Sequence, residues 1–330
     1  MVLHRQVPVE ERPLVLEDVP APEPKAGQVR VRVKVCGVCH TDLHEVEGDI
    51  HPPKSPVIPG HQVVGVVEAL GPGVTSFKEF ERVGVPWLYS TCGACDFCRR
   101  GQENLCEFGK FTGFSENGGY AEQIVVPAES AYPIPANYKD EHAAPLLCAG
   151  VIGYRSLRLS GIRPGETLAL FGFGGSAHIV LQLARARGCE VQVFTRSAGH
   201  KELARELGAS WVGSAEERPS KLADSAIVFA PAGGLVAVAL ASVRKGGTVA
   251  LAGITMSEIP AMPYDLLYHE RVLRSVANST HGDVREFLEI ARDVNIQTTI
   301  QSYPLEQANE ALLAVKNSHT EAAAVLRVSY

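Results

Sequence analysis

Two textures along one chain predict an α/β protein of two domains, the first mainly β and the second built as a doubly wound parallel sheet. Between residues 29 and 35 apolar side chains alternate with Arg30, Arg32 and Lys34, the period of a half-buried strand. After Cys148 short apolar strands alternate with stretches of helical spacing, as a parallel sheet with crossover helices requires. A length of 330 residues with 45% hydrophobic content supplies enough apolar material for two cores.

In the first part, strands are expected at 29–35, 63–69 and 124–126. Pro52, Pro53, Pro56, Pro59 and Gly60, then Gly71, Pro72 and Gly73, mark turns between them. The second part reads as strand 167–171, helix 176–187, strand 190–195, helix 200–207, strand 226–230, helix 235–243 and strand 248–252. Beyond about residue 278 the rhythm breaks. Helical stretches at 284–291 and 305–315 and an apolar strand at 323–328 are expected to return to the first domain.

Composition narrows the function. The net charge is −6, and Lys and Arg are scattered, adjoining only as the pairs Arg99-Arg100 and Arg244-Lys245, so no basic footprint for nucleic acid is expected. The longest uncharged stretch, 226–243, is interrupted by Pro231, Gly233 and Gly234 and is not expected to cross a membrane. Residues 1–13 carry His4, Arg5, Glu10 and Glu11 in place of an apolar run, which favours a cytoplasmic protein over a secreted one.

The motif Gly172-Phe173-Gly174-Gly175-Ser176-Ala177 lies between a predicted strand and a predicted helix, the context in which GxGxxG/A binds a dinucleotide. Gly172 permits the tight turn, Gly174 lets a pyrophosphate approach the backbone, and Ala177 lets helix and sheet touch. The helix start then favours the anion. A carboxylate at the end of the second strand holds the ribose of NAD, but this chain reads Thr195-Arg196-Ser197. Arg196 offers a planar cation to a 2′-phosphate, with Thr195, Ser197 and Lys201 as further donors, so NADP(H) is favoured over NAD(H). Arg196 also reads as an ordinary exposed charge.

Eight cysteines in a chain of this size are read as metal ligands before disulfides, because four of them crowd into one loop. Cys92, Cys95, Cys98 and Cys106 form CxxCxxCx₇C, a set of four thiolates that fills the tetrahedral shell of Zn²⁺. A second set is less marked by spacing: Cys36, Cys39 and His40 offer several candidates, and His61 also reads as a loop histidine.

Taken in order, Cys36-Gly37-Val38-Cys39-His40-Thr41-Asp42-Leu43-His44, Pro59-Gly60-His61, the four-cysteine loop, residues 145–150 and the nucleotide turn resemble the zinc-dependent medium-chain dehydrogenases of the alcohol dehydrogenase type. The resemblance covers essentially the whole chain. It implies a GroES-like, mainly-β catalytic domain (1–149 and 278–330), a Rossmann coenzyme domain (150–277), and an active site in the cleft between them. It also implies two zinc ions per chain, a homodimer or homotetramer, and a small alcohol or aldehyde as substrate.

By the family pattern Cys39, His61 and Cys148 would hold the catalytic zinc and leave a fourth position open, while the four-cysteine loop would hold a structural zinc. Thr41 and His44 would carry the proton outward by way of a ribose hydroxyl, and His40 would neighbour the pyrophosphate. Asp42 would orient His61, although it also reads as a helix cap.

Some positions depart from the pattern. Gln62 stands where a Glu usually follows the zinc-binding His, which removes a negative charge and makes the ion the stronger electrophile. Ile152 replaces a Thr expected at the nicotinamide, and Ala322-Ala323-Ala324 replaces a Gly-Arg, with Arg327 nearby. Val46, Ile50, Trp87 and Leu88 suggest a roomy apolar pocket for medium-chain aliphatic or aromatic substrates, and they also read as core residues. The favoured reading is an NADP(H)-dependent alcohol dehydrogenase or aldehyde reductase. An NAD-dependent alcohol or polyol dehydrogenase, or a non-catalytic zinc- and nucleotide-binding redox sensor, are the alternatives.

Overall fold

A computed structural model describes residues 1–317 and 323–328 and divides the chain into two compact units. One comprises Met1–Cys148 and Asn278–Tyr330, the other Ala149–Ala277.

In the first unit, strand Gln28–Val38 is the spine of a seven-stranded sheet. Its even-spaced valines Val29, Val31 and Val33 are fully buried, while Arg30, Arg32 and Lys34 stay partly exposed. That is the alternation read from the sequence, and each buried valine contributes about 1.5–3 kcal/mol. Strand Val63–Leu70 runs antiparallel along one edge of the spine. The other edge is shared, since Gln123–Pro127 pairs with its first half and Ala323–Arg327 with its second. Ile300–Pro304 extends the sheet in parallel beyond Ala323–Arg327.

The spine ends where helix His40–Glu47 (α1) begins. Leu43 and Val46 of α1 share a core with Ala308, Ala311, Leu312 and Val315 of helix Ala308–Lys316. An ion pair fastens the same two helices, with Lys316 Nζ 2.7 Å from a Glu47 carboxylate oxygen. The helix that carries the site is thus seated on the C-terminal segment.

The second unit has six parallel strands in the order Trp211–Gly213, Glu190–Phe194, Thr167–Phe171, Ala223–Val228, Val243–Leu251, Val272–Ser275. This is the doubly wound order, reversing between Thr167–Phe171 and Ala223–Val228, where a nucleotide site is expected at the carboxyl ends. Phe171 and Phe194 stack at 4.2 Å in its core.

The predicted elements are present with small shifts. Helix Leu235–Ser242 stops one residue early because Val243 opens a strand that reaches Leu251. Helix Ala149–Ser160 and the edge strands Trp211–Gly213 and Val272–Ser275 were not expected. Gly153 explains why the helix escapes a propensity reading: a Cβ there would lie 2.7 Å from Val180 Cγ2, so the residue is chosen for close packing on helix Gly175–Ala186. Among the described residues no helix is long and apolar enough to cross a membrane.

Candidate active site

Cys39 is the N-cap of α1, in extended conformation. Asp42, three residues on, accepts the Cys39 backbone N–H through Oδ2 at 2.8 Å, satisfying one orphan donor of the helix start. Its other oxygen lies 3.1 Å from His61 Nδ1, close but not fully aligned, and both side chains are buried. Capping the helix and orienting the imidazole are therefore one arrangement, performed by one carboxylate.

His61 reaches Asp42 because Gly60 precedes it. Gly60 has φ +99°, and a Cβ there would sit 2.3 Å from the Tyr120 ring, so only glycine serves. Cys148 follows the 3₁₀ turn Ala144–Leu147. With Nδ1 turned to Asp42, His61 presents Nε2 to Cys39 Sγ at 3.4 Å, and Cys39 Sγ lies 3.9 Å from Cys148 Sγ. A tetrahedral zinc with Zn–S near 2.3 Å and Zn–N near 2.05 Å has S···S edges of about 3.8 Å and S···N edges of about 3.6 Å. The two edges at Cys39 match that shell, and all three donor atoms lie within 4.8 Å of one another.

Their electrostatics agree. The Cys148 thiol beside it, together with burial, pushes the Cys39 thiol well above its usual range. Burial works against a charged His61, yet Asp42 and Cys39 hold its pKa well above the usual imidazole value. The Cys39 thiol that resists ionisation, beside an imidazole that clings to a proton, is matched to a dication, which would displace a proton from each.

Beneath this set the interior is polar. Gln62 is buried, with its amide over the spine: a Cβ on Gly37 would meet Gln62 Oε1 at 2.6 Å. Its Nε2, the Tyr120 hydroxyl and both Glu45 carboxyl oxygens find no partner among the described residues. Glu45 is fully buried, and burial with Asp42 nearby raises its pKa to about 9, so it is a neutral acid at pH 7.

Trp87 meets His61 edge-on at 4.9 Å, stacks on Phe111 at 5.2 Å and touches Phe114 at 5.6 Å. Of the expected pocket residues, Trp87 thus borders the donor set. Val46 is fully buried in the core shared by α1 and helix Ala308–Lys316, in line with the core alternative that its composition left open. Leu88 is likewise buried, at 1% exposure, and Ile50 is partly exposed, its carbonyl accepting the Gln6 amide. Phe111 and Phe114 were missed, their only signal being their nearness to the cysteine loop. Thr41 and His44, three apart on α1, share one face and are partly buried. His40 is exposed, with its ring 6.4 Å from that of His44.

The four-cysteine loop gathers its sulfurs within 4.8 Å of one another. Cys92–Cys98 is 3.9 Å, while Cys95–Cys98 and Cys92–Cys106 are 3.5 Å. Gly93 and Gly101 take φ of +66° and +67°, which lets the loop curl. Backbone N–H groups of Ala94 and Cys95 point at Cys92 Sγ and lower its pKa to about 6. A closed shell of four sulfurs, with Cys92 favoured as thiolate, fits zinc.

In the second unit Gly172 turns the chain after Phe171 with φ +87°, and a Cβ would crowd Ala230 at 2.9 Å. Gly174, by contrast, faces open space, and Gly175 starts the helix whose Ala177 is fully buried. Burial holds His178 down to about 4, so this helix start carries a neutral imidazole. Arg196 is exposed. Thr195 is mostly committed to structure, being buried with its N–H on the Gly213 carbonyl, and Ser197 Oγ caps helix Ala198–Glu206 by accepting the His200 N–H. Arg327 pairs with Glu141, and Ala322 lies outside the described residues.

Residues 25–136 match the alcohol dehydrogenase GroES-like domain and residues 175–293 the zinc-binding dehydrogenase domain. The chain is 45% identical to probable alcohol dehydrogenase AdhA of Mycobacterium tuberculosis, over 99% of this chain and 96% of that one. A crystal structure of an NAD-dependent alcohol dehydrogenase superposes with a TM-score of 0.92 at 25% identity, covering 99% of each chain. The CAD from Helicobacter pylori complexed with NADP(H) superposes with a TM-score of 0.83 at 26% identity, covering 92% of this chain and 91% of that one. With its GroES-like and Rossmann-type domains and these relatives, the chain belongs to the zinc-dependent medium-chain dehydrogenase/reductase family, as an alcohol dehydrogenase.

Proposed function

We propose that this alcohol dehydrogenase holds two zinc ions per chain, uses NADP(H), and reduces medium-chain aliphatic or aromatic aldehydes as readily as it oxidises the alcohols. The observation that carries the reading is the Cys39–His61–Cys148 cluster, whose two edges at Cys39 suit a tetrahedral ion and whose three donors leave a fourth position for substrate.

A zinc ion bound there supplies a Lewis acid for an alcohol or carbonyl oxygen, and a nicotinamide supplies or accepts the hydride. The chain's own groups do the rest. Asp42 fixes the His61 tautomer and ring direction. Gln62, neutral and buried, leaves the site one negative charge short of a Glu, which strengthens any cation held beside it. Trp87, Phe111 and Phe114 form a continuous aromatic wall that keeps water away from a flat substrate ring. Thr41 and His44 hand the substrate proton outward along one face of α1.

Exposed Arg196 supports NADP(H), as a planar donor for a 2′-phosphate. The edge strand Val272–Ser275, with Val272 45%, Tyr268 53% and Tyr264 73% exposed, supports a homodimer or homotetramer that covers it. None of the eight cysteines is in a disulfide, in keeping with a reducing cytoplasm.

A carbonyl panel run with NADPH and NADH tests the reading. The expected result is a higher kcat/KM with NADPH that reverses in Arg196→Ala, together with a preference for aromatic over two-carbon aldehydes. Equal or better use of NADH by the wild-type enzyme contradicts the coenzyme assignment. Nucleotide binding without turnover of any carbonyl would favour a sensor.

A further inference from the structure

We propose that Glu217 is a specificity-determining residue of the coenzyme site, holding Lys201 in competition with the 2′-phosphate of NADP(H); the inference rests on the coenzyme reading given above.

Strands Glu190–Phe194 and Trp211–Gly213 run side by side in the parallel sheet, with Phe194 opposite Gly213 and the Thr195 N–H on the Gly213 carbonyl at 2.8 Å. Residues 195–197 and 214–217 therefore leave the sheet together, at the carboxyl ends where the ribose of a dinucleotide is read. On one side, Ser197 caps helix Ala198–Glu206 and Lys201 stands in its opening turn, with its N–H on the Ser197 carbonyl at 3.0 Å. On the other, the chain folds into a turn that aims a carboxylate back at Lys201.

That turn is held from within. The Glu217 N–H donates to the Ser214 carbonyl at 3.2 Å, and Glu217 Oε1 accepts the Ser214 N–H at 2.8 Å. Arg218 braces it, donating to the Ala215 and Glu217 carbonyls at 2.7 and 2.9 Å. Gly213 makes room, since a Cβ there would lie 3.2 Å from the Glu217 carboxyl carbon. The oxygen that accepts the Ser214 N–H lies 3.9 Å from Lys201 Nζ. In this loose ion pair the carboxylate is fixed by the backbone, and the lysine is the partner that can swing.

The local charges balance. The Ser214 N–H and hydroxyl, with Lys201 adding to them, hold the Glu217 carboxyl below its usual range. Glu216 is lowered in the same way, by the Ser214 hydroxyl first and its own N–H next, with Arg196 and Lys201 contributing. Burial lowers His200 at the same helix start, so it is mainly neutral at pH 7. Two carboxylates thus face the two cations, Arg196 and Lys201.

A 2′-phosphate brings a charge of about −1.5 to −2 at pH 7, whereas NAD(H) presents a neutral hydroxyl at that place. The phosphate has to draw Lys201 from Glu217 and lie near a fixed carboxylate; the hydroxyl meets neither cost. Arg196 attracts NADP(H) and Glu217 tempers the attraction, so the preference is narrower than two uncontested cations would give.

The test is equilibrium titration of the zinc-loaded enzyme with NADPH and with NADH, followed by nicotinamide fluorescence. Glu217→Gln keeps an acceptor for the Ser214 N–H and removes the charge. It is expected to raise the ratio Kd(NADH)/Kd(NADPH) by about three- to fivefold at low ionic strength, the upper range for an exposed ion pair. The gain is expected to vanish in 1 M salt, where screening acts within about 3 Å, and to be smaller in a Lys201→Met background. A ratio that Glu217→Gln leaves unchanged, a gain that survives 1 M salt, or an equal gain without Lys201 overturns the assignment. Arg196→Ala separates this from the coenzyme reading: if it lowers the ratio, that reading stands whatever Glu217 does. If Arg196→Ala leaves the ratio unchanged, the reading and the assignment both fall.

Discussion

Replacing Glu45 by Gln should flatten the pH dependence of stability of the first unit. Glu45 is fully buried on α1, three residues from Asp42, and its pKa rises from 4.5 to about 9 through burial and the Asp42 charge. Its folded-state pKa thus exceeds the unfolded one. Stability from this group is fully present below 4.5 and is lost as pH rises towards 9, because the unfolded chain ionises first. The loss proceeds at about 1.4 kcal/mol per pH unit, or about 4 kcal/mol between about pH 5.5 and about pH 8.5. A glutamine keeps the shape and cannot ionise. Urea unfolding can be followed by Trp87 alone in a Trp211→Phe background, since the chain has two tryptophans. The wild type should lose stability with rising pH relative to the Glu45→Gln variant, by that slope. Parallel curves across this range would refute the claim that Glu45 is buried as a neutral acid.

Other outcomes follow from single contacts. Asp42→Ala removes the Cys39 N–H acceptor and the His61 partner together; chelator competition should show zinc held about 10–100-fold more weakly at the open site, with about 1 kcal/mol of stability lost from the cap. Gly60→Ala demands φ +99° from a residue whose Cβ strikes the Tyr120 ring at 2.3 Å, and should cost at least about 3 kcal/mol, seen as a collapse of soluble yield; normal yield and melting temperature contradict this. Cys106→Ser should remove one zinc by elemental analysis and lower the thermal midpoint, while an unchanged zinc count contradicts the closed shell. Trp87→Ala should raise KM for aromatic aldehydes more than for short aliphatic ones, as its place beside His61 and Phe111 requires.

Much of this was legible in the residues because the signals were local. The alternation around Arg30, Arg32 and Lys34 gave the spine strand, and CxxCxxCx₇C places four sulfurs in one loop without help from distant sequence. The open set was harder, since Cys39, His61 and Cys148 meet only through the fold, and the resemblance, not their spacing, singled them out. Val46 stayed ambiguous because a pocket wall and a core residue have the same composition, and its burial follows only from the seat of α1 on helix Ala308–Lys316. Val272–Ser275 was invisible because an exposed edge strand lacks the apolar alternation that marks half-buried ones.

The central claim is that Cys39, His61 and Cys148 hold a reactive zinc distinct from the one in the cysteine loop. Zinc content and NADPH-dependent aldehyde reduction, measured together on the wild type and Cys148→Ser, test it most directly. The account predicts two zinc ions per wild-type chain with turnover, and one zinc, intact folding by circular dichroism and no turnover in the variant. Turnover retained in Cys148→Ser, or a wild-type enzyme that is active with a single zinc, would contradict it.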